Sequence, residues 1–185
     1  MREAPLAQTD AGLRPEGEGW FILNVADAAW QTDDNGGTGT WSLLEPDDGR
    51  FGQFGIGVHV LPPGEAPGLY HWESDQEGFL VLSGACVAIV EGQERPMRRW
   101  DYLHCPPGTR HILVGAAGDE LCAILMVGAR TPDKLVRYPA DPVAAAHGAS
   151  VDRDADHARD AYAQVPGWGR FRTVRAPWPA PDAAA

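Results

Sequence analysis

Residues 68–84 read GLYHWESDQEGFLVLSG, with His71, Glu73, Asp75 and Glu77 set just ahead of the apolar run Phe79 to Leu82. An imidazole and three carboxylates beside a buried strand need a reason, because charge is costly to bury unless it is paired or holds a metal. Side chains alternate along an extended chain, so His71 and Glu73 share one face and Trp72 takes the other. Glu77 follows the polar break Ser74-Asp75-Gln76 and opens the next strand. Later, CPPGTRHILVG (105–115) carries two prolines and a glycine, a rigid turn that delivers His111 onto a strand of its own. Two imidazoles and two carboxylates brought together from these segments form a mixed nitrogen and oxygen set. Such a set suits a divalent transition metal with positions left open for a substrate. Glu73 has two roles open to it: ligand, or acceptor of a hydrogen bond from a ligand histidine. Asp75 fits a turn cap.

The elements around these residues read as all-β, short apolar stretches alternating with turn signals from Trp20 onward. Strands are expected at 55–61, on either side of a tight Ser83-Gly84 turn, after a Gly92-Gln93 hairpin loop, and in DYLHC, HILVG and ELCAILMVG. The run from Phe79 to Val90 is apolar on both faces. An antiparallel sheet ordinarily shows one face to water, so the chain's own terminal segments or a second subunit should cover the outer side. A homodimer is expected on that ground.

Residues 1–19 are polar and glycine-rich and are expected to be flexible, 20–130 to form the barrel domain, and 131–185 to be a C-terminal extension. Asp141-Pro142 reads as a helix N-cap with proline at the first helical position, Gly148 ends that helix, and a second short helix is expected near 154–163. The remainder holds too many prolines and glycines for regular structure, with Trp168, Phe171 and Trp178 expected to pin the tail to the surface.

The net charge of −11 over 185 residues argues against nucleic acid as a partner, because a phosphate backbone needs a basic surface. No apolar run approaches the length of a membrane helix, and the N-terminus lacks the apolar region of a signal peptide. The three cysteines have no framework spacing. Cys86 and Cys122 read as small core residues, and Cys105 has nothing basic fixed beside it that would make it a nucleophile. A reducing, cytoplasmic setting is therefore expected.

The two histidine-bearing stretches resemble the paired motifs of the cupin superfamily. His71, Glu73, Glu77 and Gly84 follow the spacing of the first motif, and Pro106, Gly108 and His111 that of the second. The resemblance covers roughly residues 55–128. It implies a double-stranded β-helix, or jelly-roll barrel, with a metal at its centre held by His71, Glu77, His111 and Glu73. Three positions depart from the pattern: Glu73 stands for the second histidine, Trp100 for an opening glycine and Gly115 for a closing asparagine. A second carboxylate makes the centre a weaker Lewis acid and a harder donor set, leaving Fe, Mn, Zn or Ni all open.

The resemblance implies a small-molecule ligand inside the barrel. From their places in the sequence, Phe79 and Leu113 are candidate apolar lining and His59 a candidate substrate contact, while Tyr102 and His104 are either pocket residues or polar tips at the barrel rim. The reaction types the resemblance implies include dioxygenases, isomerases and decarboxylases, and a His/carboxylate set with open positions leans toward oxygenase chemistry. A non-catalytic ligand sensor, or a structural cupin that has lost its metal, are the alternatives. His147 and His157, in the extension, are expected to face solvent.

Overall fold

The computed structural model describes residues 1–33, 39–46, 51–163, 165 and 168–177. In chain order the elements are β1 (Leu6–Thr9), β2 (Gly12–Pro15), β3 (Trp30–Asp33), β4 (Thr40–Ser42), β5 (Phe54–Leu61), β6 (Trp72–Glu73), β7 (Glu77–Ser83) and β8 (Ala85–Val90). They continue with β9 (Gln93–Arg98), β10 (Tyr102–Cys105), β11 (His111–Gly115), β12 (Cys122–Ala129), β13 (Val136–Arg137), α1 (Pro142–Ala146), α2 (Ala158–Ala161) and β14 (Phe171–Val174). A seven-stranded sheet in the order β10-β7-β12-β5-β4-β3-β14 faces a three-stranded sheet, β11-β8-β9. This is the jelly-roll barrel expected from the sequence.

The barrel core forms because alternate residues of each strand point inward. Phe79, Val81, Leu61 and Ile124 from the large sheet meet Cys86, Ala88, Met97 and Leu113 from the small one. All three cysteines are buried and unpaired as disulfides.

The outer faces are covered by the chain itself. On the small sheet, Ile89, Ile112 and Val114 pack with Tyr70, Ala144 and Ala149, so α1 lies against it. Asp141 fixes the start of that helix, its Oδ1 accepting from the amides of Val143 and Ala144 at 2.9 Å each. On the large sheet, Leu82 and Leu125 pack with Trp30, Val58, Val60, Leu23 and Val25, and Val174 joins them from the C-terminal strand.

Several expectations are corrected. Within residues 1–19, for which no regular element was expected, β1 and β2 form an antiparallel hairpin. The Leu13 amide donates to Asp27 O at 2.7 Å and the Ala29 amide to Leu13 O at 2.8 Å, which ties the hairpin to the chain entering β3. The C-terminal tail carries β14, antiparallel to β3, where proline content suggested no regular structure. The tail's Trp168 and Phe171 do rest on other rings, Tyr162 at 5.0 Å and Trp41 at 5.3 Å, while Trp178 lies outside the described residues. The hairpin loop is Glu91-Gly92, one residue earlier than expected, with both residues at positive φ (49° and 69°). The Ser83-Gly84 turn does not close a hairpin; it passes the chain from the large sheet to the small one.

At that crossing Gly84 has φ 67°, and a Cβ there would stand 2.3 Å from Leu121 O. Gly84→Ala combines left-handed strain with a backbone clash and is expected to cost about 2–4 kcal/mol, read by denaturant unfolding. Gly115 is explained in the same way: a Cβ there would meet Pro62 O at 2.1 Å, so the asparagine of the family pattern has no room. Trp100, by contrast, itself adopts the left-handed conformation (φ 76°) that its glycine would supply.

Candidate metal centre

His71 and His111 face each other through a short antiparallel bridge. The His111 amide donates to His71 O at 2.8 Å, and the His71 amide to His111 O at 3.1 Å. This bridge sets the two rings 4.9 Å apart between centroids. Phe79 packs on His111 at 5.1 Å and Tyr138 on His71 at 5.9 Å, which limits both rings. His71 Nδ1 lies 2.8 Å from Leu69 O and His111 Nδ1 3.0 Å from Thr109 O. A carbonyl can only accept, so both Nδ1 atoms carry the proton and both Nε2 atoms keep a free lone pair.

Glu77, the first residue of β7, brings its Oε2 to 3.3 Å from His111 Nε2. The ligand atoms of His71, Glu77 and His111 all lie within 4.8 Å of one another. Burial dominates their electrostatics. It drives His71 down to about 4, with His111 and Lys134 adding to the effect, and lowers His111 as well. It pushes the Glu77 carboxyl up to about 8, with the neighbouring Glu73 charge as the second cause. Two neutral imidazoles with aimed lone pairs and one carboxylate fit a divalent transition ion.

Glu73 does not join this group. Its carboxylate is ion-paired through Oε2 to Lys134 Nζ. The segment after β12 is folded back onto this stretch: β13 pairs with β6, Ser74 and Leu135 exchange hydrogen bonds at 2.8 and 2.9 Å, and Asp75 accepts from Thr131 N and Oγ1 at 2.8 Å each. Those two bonds hold the Asp75 carboxyl below its ordinary range. Asp75 therefore caps the returning loop, and Lys134 was missed by the sequence reading. Its one available signal was composition: it is the only lysine in the chain.

A cavity of about 610 Å³ opens beside the trio, with Glu77, Phe79, His59, Trp41, Met126 and Lys134 among its lining. His59 lies parallel to Trp41 at 6.1 Å, and burial lowers it to about 4. Its Nδ1 is buried without a hydrogen-bond partner among the described residues. Of the other expected pocket residues, Leu113 is buried in the barrel core. Tyr102 and His104 point outward on β10 and line a separate groove of about 560 Å³ with Leu80, Leu125 and Val127. Period-two alternation explains this: their neighbours Leu103 and Cys105 face the core. His147 pairs with Glu94 at 2.7 Å, and His157 is exposed at the start of α2.

Residues 57–128 match the family model of the cupin domain. Among solved structures, the chain is similar to a protein of Acidithiobacillus ferrooxidans assigned as a sugar phosphate isomerase (26% identity over 45% of this chain and 55% of that one, TM-score 0.43). The match therefore spans about half of that protein. A sugar phosphate isomerase of the cupin superfamily from Silicibacter pomeroyi matches at 24% identity over 78% and 82% of the two chains, TM-score 0.50. The polyketide cyclase RemF from Streptomyces resistomycificus matches at 16% identity over 81% and 96%, TM-score 0.55. A comparison with curated proteins finds no match. Motifs, barrel and family match agree on a cupin domain over residues 57–128. No helix among the described residues is long and apolar enough to cross a membrane.

Proposed function

We propose that this cupin holds one divalent transition metal through His71, Glu77 and His111 and binds a small molecule in the adjoining cavity. The observation that carries the reading is the convergence of two lone pairs and one carboxylate oxygen within 4.8 Å. When bound, the ion would supply Lewis-acid polarisation of a ligand oxygen, or dioxygen chemistry if it is iron or manganese. The protein's own contribution is orientation. The Leu69 and Thr109 carbonyls fix the histidine tautomers, and Phe79 and Trp41 form apolar walls. His59 lines the same cavity beside Trp41, which makes its ring a contact for the ligand.

The test is a thermal-shift screen of oxygen-bearing small molecules against metal-loaded protein, followed by mass spectrometry of hits and measurement of dioxygen uptake. A hit that stabilises the wild type but is at least tenfold weaker with His59→Phe supports the cavity as the binding place. Conversion of that hit makes the protein an enzyme, and stabilisation without conversion makes it a sensor.

The homodimer and the cytoplasmic setting stay with this proposal. Terminal segments already cover most of the outer apolar surface, so the dimer rests on the groove between Leu80, Tyr102 and Val127. Light scattering at twice 19.9 kDa would support it, and the monomer mass would remove it.

A further inference from the structure

We propose that Lys134 is a positioning residue that holds Glu73 out of the metal's coordination sphere, so that the protein supplies three ligands and a further position stays open. The inference rests on the metal-binding reading above. Glu73 occupies the position at which the cupin motif places a ligand histidine, and it follows His71 by two residues on the same extended segment. It is nevertheless not among the converging side chains, and its carboxylate is taken by the ammonium of Lys134.

That ammonium is delivered by a fixed loop. Asp75 holds Thr131 at its start, while Ser74 bonds to Leu135 and β13 pairs with β6 at its end. The Lys134–Glu73 pair is largely withdrawn from water, with side chains 29% and 11% exposed. A paired carboxylate in such a place gains little by leaving an ammonium for a metal that already has three donors. Lysine suits this task, because a compact point charge can sit against a single carboxylate without the planar fork of arginine. Lys134 also lines the main cavity alongside Glu77, so the position kept free opens toward the ligand space.

A variant cycle decides this, read by calorimetric titration with Zn²⁺ and by X-ray absorption of the zinc-loaded protein. Lys134→Met releases Glu73 and is expected to bind Zn²⁺ at least tenfold more tightly, with one additional protein oxygen in the ligand count. The double variant Lys134→Met/Glu73→Gln replaces the pair by neutral groups of similar size. It is expected to bind within threefold of wild type with an unchanged ligand count. Because it leaves no unpaired buried charge, it keeps the test valid if Lys134→Met alone fails to fold. A tenfold or greater loss in the double variant would make Glu73 a ligand and overturn the proposal, as would Lys134→Met binding no more tightly than wild type. Wild-type protein that takes up no Zn²⁺ in the same titration would instead remove the metal-binding reading itself.

Discussion

Glu77→Gln is expected to weaken metal binding by more than 100-fold and to abolish the proton release that accompanies it. The loss exceeds the 10–100-fold typical of a group that merely supports a ligand, because the change removes the one anionic donor of the trio. The proton follows from burial. Without metal the Glu77 carboxyl is raised from 4.5 to about 8, so at pH 7 it carries its proton, which an incoming cation must displace. His71, lowered to about 4, gives up none at that pH. Calorimetry at pH 7 in buffers of different ionisation enthalpy should count about one proton released by the wild type and about none by the variant. Wild-type affinity should climb roughly tenfold per pH unit from about pH 5 to about 8 and then level off.

The same shift sets the stability of metal-free protein, with a definite sign. A carboxyl raised on folding lends stability that is complete below its unfolded value of 4.5 and is lost as pH rises to about 8. Metal-free protein should therefore melt at progressively lower temperature over that window, and metal-loaded protein should not. Proton release that persists in Glu77→Gln would assign the titration to another group.

Ending the chain after Ala129 is expected to abolish cooperative folding. The extension supplies α1 and Ala149 over Tyr70, Ile89, Ile112 and Val114, and Tyr138 and Ala161 over Leu69. Burying one such aliphatic side chain is worth about 1.5–3 kcal/mol, and a domain's net stability is only about 5–15 kcal/mol. Uncovering four or more of them removes an amount comparable to the whole. Tyr162 adds a directed tie, its hydroxyl accepting from the Leu69 amide at 3.0 Å, two residues before His71. Circular dichroism on heating should show a broad, non-cooperative change in the truncated chain. A sharp transition near that of the full chain would show that the barrel stands alone. A milder probe, Ala144→Asp, buries a charge between α1 and the small sheet and should lower the midpoint while leaving the fold in place.

The trio was legible because its members lie within two short segments of fixed spacing, where strand alternation and a proline-glycine turn determine where side chains go. The barrel was legible from a coarser signal: short apolar stretches, β5, β7, β8 and β12 among them, alternate with turn residues such as Gly84, Gly92 and Gly118. What covers Phe79 to Val90 was not decidable from that run, since two-sided apolar strands ask for a cover without naming it. The cover turned out to include Ala144 and Val174, small or isolated residues in proline-rich surroundings. Tyr102 and His104 were left open between the pocket and the barrel rim, and the core-facing positions of β10 belong to Leu103 and Cys105 instead. Lys134 escaped altogether, because no local spacing links a residue after β12 to one on β6; only the return of the chain through β13 does so.

The central claim is tested most directly by elemental analysis of protein purified without chelator or polyhistidine tag, beside His111→Ala prepared identically. One transition-metal ion per wild-type chain, lost in the variant while its circular dichroism is retained, is the predicted result. No metal in the wild type, even after incubation with Fe²⁺, Mn²⁺, Zn²⁺ and Ni²⁺, would contradict it.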